Sequence, residues 1–179
     1  MTFLVSLLLA LTTSTAFAQY DVGKVVSDFT MPSVVTKDAV IDLKEVREKR
    51  GVKVVWLTFL RASCSKCNTQ IDDLLAVGSP PNDRIAFVTV FLSPKASEEY
   101  TQGYARGAKI DWPAGYDRDG KIASLFGVTD FPAHVVIDTK GEVIDTQVGP
   151  LSKQQVKDKI DAALKKVGTY IRGEQREEE

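Results

Sequence analysis

Only two cysteines occur in the sequence, three positions apart, as Cys64-Ser65-Lys66-Cys67. Thiols at this spacing serve a cyclable disulfide, part of a metal site, or a nucleophile with its resolving partner. Structural stapling is a poor explanation, because so small a loop takes little entropy from the unfolded chain. A structural zinc site needs about four ligands, and there is no second CxxC and only one histidine, His134. Disulfide exchange needs one exposed thiolate of low pKa and a second thiol that releases the mixed disulfide. Lys66 sets a cation beside the first cysteine and favours its thiolate.

Such chemistry depends on the elements that deliver the pair. Residues 52–60 are almost continuously apolar, β-branched or aromatic, which predicts a strand buried on both faces and running straight into the cysteines. Residues 68–77 carry Ile71, Leu74 and Leu75 at helical spacing. Cys64 therefore belongs at a helix N-terminus, where free N–H groups and the macrodipole favour negative charge. Cys67, one turn in, is expected to be more buried and to act as the resolving thiol. A second buried strand is predicted over 85–92, and a polar helix over 97–107 with Tyr100 and Tyr104 at i,i+4. Tyr100, Tyr104, Trp56 and Trp112 read as packing residues.

Residues 112–116 read as a linking segment, 117–120 as a turn and 122–126 as a short helix. A strand over 134–137, a turn at 138–141 and an alternating strand over 142–148 follow. From Ser152, an amphipathic helix places Val156, Ile160, Ala163, Leu164 and Val167 on one face. Upstream, residues 29–32 and 40–43 read as short extended pieces, and 45–50 as a helical turn. This order implies an α/β fold, a central sheet covered by helices on both faces, with the cysteines at the carboxyl edge of a strand.

At 179 residues, the chain suits one domain with modest extensions. The formal net charge of −1, with both signs interspersed, gives no reason to expect a nucleic-acid partner. Residues 1–18 have the look of a secretory signal: an apolar run over 3–11, then Ala16-Phe17-Ala18 in the small-x-small pattern of a cleavage site. The mature chain is expected to begin near Gln19 and to work outside the cytoplasm, an uncleaved N-terminal anchor being the alternative. Residues 173–179 read as a charged, disordered tail. No phosphate loop, paired-carboxylate site or dinucleotide fingerprint occurs, so no cofactor is expected.

From about Asp21 to Lys166 the chain resembles the TlpA/ResA/CcmG-type periplasmic thioredoxins, within the wider redoxin group. Landmarks that carry the resemblance fall in order: Val22-Gly23, Asp28-Phe29-Thr30-Met31-Pro32, then Phe59-Leu60-Arg61-Ala62-Ser63-Cys64-Ser65-Lys66-Cys67. Trp112-Pro113, Tyr116-Asp117, Gly127-Val128-Thr129-Asp130-Phe131-Pro132 and Val136-Ile137-Asp138 with Gly141 complete the series. The resemblance implies a thioredoxin fold over 19–172, with an N-terminal β extension and a central insertion. It also implies a cis Phe131–Pro132 bond beside the cysteines, Phe131 and Pro132 then forming a substrate-binding loop. Its implied partners are cysteine-containing exported proteins, among them apocytochrome c in relatives, and a membrane thiol–disulfide electron donor or acceptor.

Three departures from the family pattern stand out. Ser63 occupies the place of the usual tryptophan, and Ser65-Lys66 that of Gly-Pro or Pro-Pro. Thr58 stands where thioredoxins carry a buried aspartate, and a hydroxyl does not accept the Cys67 proton as a carboxylate does. Thr58 and Lys66 are thus the residues expected to tune the thiolates. Two other readings compete. One is a copper-handling assembly factor using Cys64 and Cys67 with His134, for which a packed or hydrogen-bonded role is the stronger expectation. The other is a thiol peroxidase, against which Arg61-Ala62-Ser63 before Cys64 lack the proline such sites use.

Overall fold

The computed structural model describes residues 21–78, 83–92 and 96–177, with side chains described through residue 168. The apolar N-terminal run and Ala16-Phe17-Ala18 lie outside these residues. No helix among the described residues is long and apolar enough to cross a membrane. The elements run β1 (Thr30–Pro32), β2 (Val40–Asp42), α1 (Leu43–Glu48), β3 (Val54–Leu60), α2 (Ser65–Val77), β4 (Ile85–Leu92) and α3 (Glu98–Gly107). After these come β5 (Ala114–Asp117), α4 (Lys121–Leu125), β6 (Ala133–Asp138), β7 (Val143–Val148) and α5 (Lys153–Glu177).

Five strands form a mixed sheet in the order β5-β4-β3-β6-β7. β3 and β4, like β4 and β5, are parallel, whereas β6 is antiparallel to both β3 and β7. Every residue of β3 is buried, and alternation divides them between two cores. Val54, Trp56 and Leu60 face a cluster built with Cys67, Ile71 and Leu74 of α2 and Val156 and Ile160 of α5. Val55, Leu57 and Phe59 face Leu43 of α1, Ile122 and Ala123 of α4, and Phe126. A strand sandwiched in this way has no solvent face to carry polar residues, hence its unbroken apolar run. The expected thioredoxin fold with helices on both faces is therefore borne out.

β1 and β2 pair as a separate antiparallel ribbon. The ribbon is stitched to the sheet where Val34 N–H donates to the Ala114 carbonyl at 2.8 Å. Met31 packs over Gly115, where an added Cβ would lie within 2.9 Å of three of its side-chain atoms. Arg47 of α1 holds the segment before β1, donating to both Asp28 carboxylate oxygens at 2.9 and 2.7 Å and to the Thr139 carbonyl at 2.7 Å.

Two expectations change. Residues 114–117, read as part of a linking segment and turn, form edge strand β5. Ala-Gly-Tyr-Asp after a proline is a weak strand former, and its shape comes from pairing with β4 on one side and Val34 on the other. The helix after the cysteines begins at Ser65, three residues before the predicted start, because Cys64 itself caps it. At the far end the backbone of α5 stays helical to Glu177, so residue 173 is not marked by an end of the helix.

Candidate functional site

β3 ends at Leu60, and Arg61, Ala62 and Ser63 turn the chain into α2. Ser63 sits in the left-handed region at φ 62°, uncommon for a residue with a Cβ. Cys64 then occupies the N-cap with extended backbone, its Sγ accepting from the Cys67 N–H at 3.3 Å. The Cys64 carbonyl accepts from the Asn68 N–H at 3.0 Å. Cys64 and Cys67 are disulfide-bonded, with Cα atoms 5.1 Å apart. Their environments differ as the exchange chemistry requires: Cys64 is half-buried and Cys67 fully buried. Lys66 lies in the first turn of α2 and is exposed, so solvent and salt weaken its field at the sulfurs.

The Phe131–Pro132 bond is cis, as the resemblance implies. Phe131 is half-buried against the core cluster that Cys64 also packs on. The Arg61 guanidinium lies 4.4 Å from the centre of the Phe131 ring, a cation–π contact that joins the cysteine loop to the proline loop. Pro132 is anchored from below, its carbonyl accepting from the Gly149 N–H at 2.9 Å.

Thr58 is buried on the α2 side of β3 and opposes His134 of β6 in the strand register. Trp56 Nε1–H donates to Thr58 Oγ1 at 3.1 Å and to His134 Nδ1 at 3.2 Å. An indole N–H only donates, so Nδ1 is the acceptor and a neutral His134 carries its proton on Nε2. Burial pushes the His134 pKa down to about 3, and the Lys159 charge adds to this. His134 Nε2 and Gln70 Nε2 are buried and have no hydrogen-bond partner among the described residues. The Gln70 Oε1 accepts from the Leu151 N–H at 2.6 Å, tying α2 to the start of α5.

Thr58 thus belongs to a Trp56–Thr58–His134 set, and no hydrogen bond among the described residues joins it to a cysteine. The His134 ring is engaged within this set, and the described residues hold no group of three or more metal-ligating side chains. A copper site shared by His134 and the cysteines gains no support from this arrangement. Sequence reasoning also missed a contact to α3. The Tyr100 hydroxyl is hydrogen-bonded to Ser63 Oγ, and the Tyr104 hydroxyl donates to Asn68 Oδ1. Two tyrosines at i,i+4 on an otherwise polar helix were the available signal. Cavities of about 590 and about 620 Å³ open beneath β2 and beside the β1–β2 ribbon, and neither is lined by the cysteine segment.

Known proteins place this architecture. The chain is 26% identical over 117 residues to the thioredoxin-like protein YneN of Bacillus subtilis, covering 65% of this chain and 68% of that protein. It is 23% identical over 111 residues to the sporulation thiol-disulfide oxidoreductase A of the same organism, covering 61% and 67%. Among solved structures, a Chlorobium tepidum protein assigned as thiol:disulfide interchange protein DsbE shares the fold with a TM-score of 0.70 at 24% identity, covering 82% of this chain and 99% of that one. The pattern of the AhpC/TSA family matches residues 22–146, and the chain belongs to that family.

Proposed function

We propose that this protein is a thiol–disulfide oxidoreductase that works outside the cytoplasm, reducing disulfides of exported proteins. The observation that carries the reading is the bonded pair at the head of α2, Cys64 half-buried and Cys67 fully buried. In the working direction, the reduced Cys64 thiolate attacks one sulfur of a client disulfide. A mixed disulfide forms and one client thiolate leaves, taking a proton from solvent. Cys67 then loses its proton, attacks Cys64 Sγ and displaces the second client thiolate. Two electrons pass to the client, and the chain ends with its Cys64–Cys67 disulfide closed, the state described above. A membrane thiol–disulfide donor would return the two electrons.

The N–H groups at the start of α2 and Lys66 stabilise the Cys64 thiolate, and Thr58, standing in place of a carboxylate, gives Cys67 no buried proton acceptor on β3. Phe131 and Pro132 form the shelf on which an extended client segment would lie. The relatives' printed names, thioredoxin-like and thiol-disulfide oxidoreductase, support the reaction class, and the secretory look of residues 1–18 supports the compartment.

Equilibration in thiol buffers followed by alkylation trapping gives the reduction potential. A value near about −270 mV fits a reductase, and one near about −120 mV makes the protein a disulfide donor instead. In the Cys67→Ser variant, the mixed disulfide with a client peptide should accumulate, because nothing remains to displace it. A pair that does not cycle, with no trapped adduct, would refute the reading.

A further inference from the structure

We propose that Tyr100 and Tyr104 of α3 are positioning residues for the exchange reaction, Tyr100 acting by holding Ser63 in its left-handed conformation. This rests on the thiol-exchange reading above. The link from β3 to α2 has only four residues, Arg61 to the N-cap Cys64, and Ser63 makes the reversal at φ 62°. Serine gains nothing from that conformation by itself, since its Cβ crowds the following carbonyl. The Tyr100 hydroxyl, brought from 37 residues away, is bonded to Ser63 Oγ and offsets that cost.

One turn along the same face of α3, the Tyr104 hydroxyl donates to Asn68 Oδ1. Asn68 in turn donates its N–H to the Cys64 carbonyl at 3.0 Å. The two tyrosines therefore grip the residues at −1 and +4 from Cys64 and fix the N-cap between them. Tyr104 is held rigidly, its ring set edge-on to Phe91 at 5.8 Å. Burial raises its pKa and keeps the phenol a proton donor. Tyr100 remains 51% exposed beside Ser63, on the α3 side of the cysteine loop. Arg61 stacked on Phe131 occupies the cis-proline side.

The test uses exchange with a disulfide-containing peptide, alongside the rate and pH dependence of Cys64 alkylation in the reduced protein. Tyr100→Phe removes only the hydroxyl. It should lower the peptide exchange rate about tenfold, the order expected when a left-handed residue loses the bond that offsets its crowding. Alkylation of Cys64 should shift to higher pH, as Sγ loses its alignment with the Cys67 N–H. Ser63→Gly added to Tyr100→Phe should bring both readings back to within about threefold of the native protein, because glycine takes positive φ without crowding. A role limited to packing would not be rescued by a glycine at position 63. Native rates in Tyr100→Phe, or a double variant as slow as the single one, would overturn the proposal. A native protein that fails to exchange would instead overturn the thiol-exchange reading.

Discussion

Acidification should destabilise this protein through His134 before it protonates most carboxylates. The ring is buried, and its pKa is pushed down to about 3, against about 6.5 in an unfolded chain. Below about pH 6.5 the unfolded chain binds a proton that the folded one refuses. The contribution of His134 is therefore whole above about pH 6.5 and falls by about 1.4 kcal/mol per pH unit until the folded value is reached. Between about pH 7.5 and about pH 5 this amounts to about 2 kcal/mol.

The comparison is with His134→Asn, which keeps an acceptor for the Trp56 N–H and has nothing to titrate. Urea unfolding followed by tryptophan fluorescence across this range gives both stabilities. The variant should be less stable at neutral pH, by about 1–3 kcal/mol for the disturbed hydrogen bonds, yet distinctly flatter with pH. Carboxylates act alike in both chains and cancel in the difference. Stability curves that run parallel to within about 0.5 kcal/mol would refute the argument, showing that the ring is not held neutral by burial.

Two further substitutions probe how the N-terminal extension is fixed. Arg47→Lys loses the two-pronged contact to Asp28 and should cost about 1–2 kcal/mol at neutral pH by chemical denaturation. The hydrogen bond from Arg47 holds the Asp28 carboxyl below its usual pKa, so that stabilisation is present above about pH 4 and the gap between variant and native should close on acidification through the lowered pKa. Gly115→Ala drives a methyl into the Met31 side chain and should destabilise by about 1–3 kcal/mol. Met31→Ala in the same chain should recover part of that loss, and a neutral Gly115→Ala melt would show that the ribbon yields.

Much of the fold was legible where a single force dominates. β3 and β4 are buried on both faces, so their apolar runs needed no partner to be recognised, and β4 occupies the predicted residues. The cysteine pair and the last helix were legible because their signals are local in sequence, whereas the cis Phe131–Pro132 bond was expected only from the family resemblance. β5 was not, since a four-residue edge strand takes its conformation from the strands beside it rather than from Ala-Gly-Tyr-Asp. The grip of Tyr100 and Tyr104 on α2 was hidden for a related reason. It joins positions 36 and 37 residues apart, and a phenol reads as packing until the residue facing its hydroxyl is known. For His134 a packed or hydrogen-bonded role was the expected one, but its partners, Trp56 and Thr58, emerged only from the register of β3 against β6.

That register also bears on how sequences of this kind can diverge. Residues 58 and 134 face each other across two neighbouring strands, deep in one core, and share a single indole donor. A lineage that placed an aspartate at position 58 would set a carboxylate against an imidazole with no solvent to separate them. Either the two would share a proton as a buried ion pair, or position 134 would have to give up its ring. Substitutions at these two sites should therefore appear in tandem along a phylogeny, with threonine inherited alongside histidine and carboxylates alongside some other neighbour.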